Sequence, residues 1–164
     1  MKNNSDDELA KADAVIGQAF GVVGCQPGRS NEDLAEIARE LHNDLGLSLI
    51  LQWEIADCLL YVSDIFVIKR HRIQGAYLDT YEMIDQVRAI CDQKGWKKVV
   101  VIAHPHHQWR CVMVAKKLGL ETLIVDTSRV HYEKNSSQPW TRSSWRFIPR
   151  EIAARIIYLF SGKL

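Results

Sequence analysis

The stretch Lys98-Val-Val-Val-Ile-Ala-His-Pro-His-His-Gln-Trp-Arg110 decides the fold. Its first half, Lys98 to Ala103, is a run of β-branched residues without polar alternation. Such a run fits a strand covered on both faces, the condition of a parallel sheet. Pro105 suits the first turn of a following helix, where its missing N–H would find no partner in any case. The spacing predicts that helix to Leu118, with Gly119 as its stop.

Working outward, the same strand-then-helix unit recurs. Ala12–Phe20, Leu47–Trp53, Asp64–Lys69 and Thr122–Val125 read as short apolar strands. Between them, Leu34, Ile37, Ala38 and Leu41 recur at helical spacing after a Ser30/Asn31 start, and Gly46 ends that helix. Met83, Ile84, Val87 and Ile90 line a second helix, which opens at Asp79 or Thr80 and stops at Gly95. Ile55–Tyr61 reads as a short helix and Pro149–Leu159 as a closing one. Five strands alternating with helices predict an α/β fold: a three-layer α/β/α sandwich with a mainly parallel five-stranded sheet, Rossmann-like. Residues 1–11 are expected to form a flexible N-terminus and 12–164 a single domain, which suits a length of 164 residues.

Composition narrows the function classes. The 21 basic and 20 acidic residues leave a net charge of +1, which speaks against a dedicated nucleic-acid binder. The polar, acidic start and the shortness of every apolar run predict no membrane partner and a cytoplasmic protein. Cys25, Cys58, Cys91 and Cys111 are far apart and form no C-x-x-C pair, so they are expected to be reduced and structural. The glycine-rich stretch Gly17–Gly28 matches neither the dinucleotide fingerprint nor the P-loop, and no G-x-S-x-G elbow is present.

In an open α/β sheet, ligands bind beyond the carboxyl ends of the strands. That rule selects the loops around 17–30, 53–57, 70–80, 103–110 and 126–145. His107 and Arg110 are three residues apart on the helix after the fourth strand, so both can converge on one group. An imidazole handles protons near neutral pH, and a guanidinium clamps phosphate or carboxylate. Together they predict an anion pocket; the same spacing also fits a helix start facing solvent. Glu54 follows a strand and reads equally as a site carboxylate or as a first-turn acid.

Two further readings stay open. His104 and His107, with an acid or histidine from another loop, could serve a metal-dependent hydrolase, although H-E-x-x-H is absent. The long segment 126–144 lacks periodicity and leads into Trp145; with Trp140 it reads as a closing loop or as the interface of a non-catalytic partner-binding module.

The order of these segments resembles the YdcF/SanA/ElyC family, a widespread bacterial domain of unknown function. The stretches that carry the likeness are Ala12–Gly24, Arg29, Leu49–Glu54, Asp79-Thr80-Tyr81-Glu82, Val99–Arg110 and Arg150-Glu151. The chain departs from the family in Gly17-Gln-Ala-Phe-Gly21, in Gln52-Trp53-Glu54 and in Met83. The resemblance implies a Rossmann-like fold and a polar pocket at the strand ends, and it places Thr80, Glu82, His107, Arg110 and Glu151 at the family's motif positions. The expected ligand is an anionic small molecule, a phosphorylated metabolite or one of nucleotide-like or S-adenosylmethionine-like kind. Arg29, His107 and Arg110 are expected to hold its charge and Thr80 to hydrogen-bond it. Trp140 and Glu151 are expected to complete the binding set. Glu54 or Glu82 is the expected base in any phosphoester or transferase chemistry.

Overall fold

Alternation along each strand divides the core in two. The computed structural model describes residues 2–60 and 62–164. Its strands are β1 (Ala14–Gly17), β2 (Ser48–Gln52), β3 (Ile65–Ile68), β4 (Lys98–Ile102) and β5 (Glu121–Ile124). They form one sheet in the order β3-β2-β1-β4-β5, and every pairing is parallel. Successive strand residues face opposite sides. Ile16, Ile50, Val99 and Val101 therefore pack with α4 (Thr80–Lys94) and α5 (Pro105–Lys117), through Met83, Ile84, Val87 and Val114. Val15, Leu49, Leu51, Val100 and Ile102 pack the other way, against Leu34, Ile37, Ala38 and Leu41 of α2 (Arg29–Leu45). The expected three-layer, Rossmann-like sandwich is the observed one.

The strand order reverses direction between β1 and β4. Chain leaving β1 crosses towards β2, whereas chain leaving β4 crosses towards β5, so the loops above this junction diverge and leave a crevice. Because every pairing is parallel, all five strand carboxyl ends lie on that rim.

Several boundaries differ from the sequence reading. The helix after β1 begins at Arg29 behind Gly28, not on a Ser30 or Asn31 cap. Both side chains are buried instead: Ser30 Oγ donates to the His131 carbonyl (2.7 Å), and Asn31 Nδ2 donates to the carbonyls of Gly21 and Pro27 (2.6 Å each). The short helix expected at 55–61 is the single turn α3 (Trp53–Ala56); Tyr61 lies outside the described residues. The last helix, α6, runs Ser144–Phe160 and carries Pro149 in its interior.

The N-terminal residues, expected to be loose, form α1 (Asp6–Leu9). Ser5 and Glu8 close a capping box at its start, Leu9 is buried, and Asn4 exchanges two 2.8 Å bonds with the backbone of Ile124. No helix among the described residues is long and apolar enough to cross a membrane.

Candidate functional site

The crevice holds a cavity of about 370 Å³. That falls within the roughly 300–1,000 Å³ usual for small-molecule sites. Its walls come from every strand end save that of β5 directly: Gln18–Gly21 after β1, Gln52 and Glu54 at β2 and α3, Tyr77–Thr80 before α4, and His107 with Arg110 on α5. Trp140, Phe147, Arg150, Glu151 and Tyr158 close it from the segment that follows β5.

One side is a charged network. Glu151 is 3% exposed and receives Arg110 Nε (3.0 Å) and Nη2 (2.9 Å) on one oxygen and Arg155 Nε (3.0 Å) on the other. Arg110 Nη1 donates to Thr80 Oγ1 at 3.1 Å. His107 Nε2 faces that same hydroxyl at 3.3 Å, while its Nδ1 faces Arg110 Nη2 at 3.3 Å and Glu151 Oε2 at 3.4 Å. Either neutral tautomer completes the ring's bonds. In one, Nδ1 accepts from Arg110 and Nε2 donates to Thr80; in the other, Nδ1 donates to Glu151 and Nε2 accepts from Thr80. Burial lowers the pKa of His107, against the pull of Glu151. Burial would raise Glu151, but hydrogen bonds and charge from His107 and Arg110 outweigh it and hold the carboxyl at about 2. Two guanidiniums therefore surround one carboxylate and a neutral ring.

The opposite side is uncharged amide chemistry. The Ala19 backbone N–H donates to Gln52 Oε1 at 3.2 Å, which fixes that atom as the acceptor end of its amide. Gln18 must then present Nε2 to it, at 2.7 Å, and Gln52 Nε2 turns to Glu54 Oε1 at 3.3 Å. Gln18 Oε1 and Glu54 Oε2 are buried and have no hydrogen-bond partner among the described residues. Burial raises the Glu54 carboxyl from 4.5 to about 7.

The fold brings some of the candidate residues to the cavity and leaves others outside it. Thr80, His107, Arg110, Trp140, Glu151 and Glu54 all line the cavity. Arg29 does not: its side chain is largely exposed and pairs with Asp33 at 3.0 Å. Glu82 also points elsewhere, to Arg72 Nε at 2.8 Å and Gln86 at 2.9 Å. Burial opposes, but the bonds from Arg72 and Gln86 bring Glu82 down to about 2, which leaves it no basicity for a proton transfer at neutral pH.

His104 is a core ring. It stacks on Phe20 at 4.0 Å, its Nδ1 accepts from the His106 N–H, and burial pushes it down to about 3. No group of three or more His, Cys, Asp or Glu placed to hold a metal ion forms among the described residues.

Trp140 and Trp145 part company. Trp140 lines the cavity with the Arg150 guanidinium 4.4 Å over its ring, whereas Trp145 faces solvent. The segment between β5 and α6 is tied down: Ser137 N–H donates to the Val22 carbonyl (2.6 Å) and the Gly24 N–H to Ser137 Oγ (2.7 Å). Gly21, at φ +74°, admits this close seating, since a Cβ there would meet Thr141 Oγ1 at 2.9 Å.

The residues the sequence did not single out are Gln18, Gln52 and Glu133. Glu133 Oε2 accepts the Arg29 N–H (2.9 Å) at the start of α2. In dinucleotide-binding sheets a pyrophosphate occupies that helix start. Here the chain's own carboxylate fills it. A comparison with family models, curated proteins and solved structures finds no match for this chain.

Proposed function

We propose that the chain binds an anionic small molecule, nucleotide-like or a phosphorylated metabolite, in the cavity above the β1/β4 junction. One observation carries the reading: Glu151 is neutralised by Arg110 and Arg155 and Asp79 by Lys163, whereas the Arg150 guanidinium stands at the mouth, over Trp140, with no carboxylate partner among the described residues. A guanidinium without its own counter-charge beside a partly enclosed, low-dielectric space favours an anion. Because Glu133 fills the start of α2, the anion belongs at Arg150 and the outer edge of Arg110, not at the dinucleotide position.

Among the cavity residues, Glu54 is suited to move a proton near neutral pH, and a phosphoester or transferase reaction would call on it. The order of sequence motifs supports kinship with the YdcF/SanA/ElyC family, and a cytoplasmic location belongs to the same proposal.

Calorimetric titration with ribose 5-phosphate tests the reading. Binding should weaken about tenfold in Arg150→Ala, the scale of one charge-assisted contact. The absence of binding by the wild type, or equal affinity in the variant, would contradict it.

A second reading, a partner-binding module, is favoured by the outer face of α6, where Trp145, Ile148, Ile152, Ile156 and Leu159 recur at helical spacing and stand exposed. Replacing Ile152 and Ile156 by Ser should leave ribose 5-phosphate binding unchanged. A shift in size-exclusion elution in that variant would speak for the module.

A further inference from the structure

The floor of the cavity ends in two buried oxygens that the protein leaves without partners, Gln18 Oε1 and Glu54 Oε2. Their orientation is fixed from the backbone outward. The Ala19 N–H sets Gln52 Oε1 as an acceptor, and each amide in the chain then follows. Flipping Gln18 would set two carbonyl oxygens against each other at 2.7 Å, so its free atom is the oxygen. Gln18 is 7% exposed and Gln52 8%, and Glu54 is half-buried, so the chain meets solvent only through the cavity that these residues line.

Leaving a buried polar atom unmet is costly, and each such atom in a native structure calls for a partner, a bound water, ion or ligand among the candidates. Gln18 Oε1 can accept a hydrogen bond. Glu54 Oε2 donates one whenever the carboxyl carries its proton, and burial favours that form. The pair asks for a neutral group with a donor beside an acceptor. Aromatic walls at Phe20, Tyr77, Trp140 and Phe147 suit a flat partner.

We infer that Gln18 and Glu54 read the polar edge of a planar nitrogen heterocycle of the nucleobase type, the donor of that edge meeting Gln18 Oε1 and its acceptor meeting Glu54 Oε2. The inference rests on the cavity being the binding site, as proposed above, and names which part of the ligand the floor recognises. The recognition is edge-specific: a ring of the same size and flatness without the exocyclic donor leaves Gln18 Oε1 unmet.

Four probes titrated into the wild-type protein separate this inference from the anion reading: adenosine, purine riboside (which lacks the exocyclic amino group), AMP and ribose 5-phosphate. Adenosine should bind about tenfold tighter than purine riboside, and AMP tighter than ribose 5-phosphate by a similar factor. Glu54→Gln, whose amide keeps a donor, should retain adenosine binding, whereas Glu54→Leu and Gln18→Leu should each reduce the adenosine preference towards unity. Equal binding of adenosine and purine riboside, or no binding of either at millimolar concentration, overturns the inference whatever the variants do. Ribose 5-phosphate reports on the anion site by itself, so its binding with no gain from the base sinks this inference and spares the anion reading. Adenosine binding without ribose 5-phosphate binding does the reverse.

Discussion

The two sides of the cavity are built on opposite principles. On the helical side, Glu151 is enclosed by Arg110, Arg155 and His107, and Thr80 takes up the bonds left over. On the strand-end side, the chain from Gln18 through Gln52 to Glu54 stops at two oxygens with nothing to bond among the described residues. A buried polar network whose members satisfy one another rigidifies a core; one that stops short carries the cost of its unpaired atoms. Thr80, His107, Arg110 and Glu151, which stood out in the sequence, therefore brace one another along one wall of the cavity. The surface proposed to read a ligand is made of uncharged amides and one carboxyl that burial raises to about 7.

The largest effect should come from opening the closed network. Glu151→Ala leaves two guanidiniums without their carboxylate and should cost about 3–5 kcal/mol in urea denaturation. A loss below about 1 kcal/mol would show that water already screens the cluster.

The two carboxyls should also pull the pH dependence of stability in opposite directions. Glu54 is raised in the fold, so its contribution is whole below pH 4.5 and is lost as pH climbs through about 7. Glu151 is lowered, so its contribution is whole above pH 4.5 and is lost as pH falls towards 2. The stability of Glu54→Gln relative to wild type should accordingly rise by on the order of 2 kcal/mol between pH 5 and pH 8. Denaturant midpoints across that range check it, and a flat difference would place Glu54 in contact with solvent.

The smallest effect belongs to a carboxylate outside the cavity. Glu82→Gln loosens a pair whose arginine is half-exposed and should cost about 0.2–1 kcal/mol. It should leave ribose 5-phosphate titrations unchanged; weaker binding in this variant would return Glu82 to the site.

Where the sequence was legible, local and tertiary demands agreed. Val99 to Ile102 are buried on both faces, and Pro105 opens α5 as its chemistry requires. The same proline rule misplaced the start of α6, because Pro149 lies inside the helix and Ser144 opens it. The four-residue α1 was missed although Ser5-Asp-Asp-Glu8 has capping-box spacing before a single buried leucine. His107 and Arg110 were found because spacing along one helix is visible in sequence. Their partner Glu151 was placed through its Arg150-Glu151 motif, while Arg29 was pulled away by Asp33, four residues on. Gln18 and Gln52 carry no motif. Their signal was a glutamine closing an apolar strand at its carboxyl end, and its meaning depends on β1 and β2 being neighbours, which no local pattern states.

The account stands most directly on where a ligand sits. In ¹H–¹⁵N spectra of the wild-type protein titrated with AMP, the side-chain amides of Gln18 and Gln52 and the indole of Trp140 should shift together and saturate with one dissociation constant. Shifts confined to the indole of Trp145 and the outer face of α6, or none at the two amides, would contradict it.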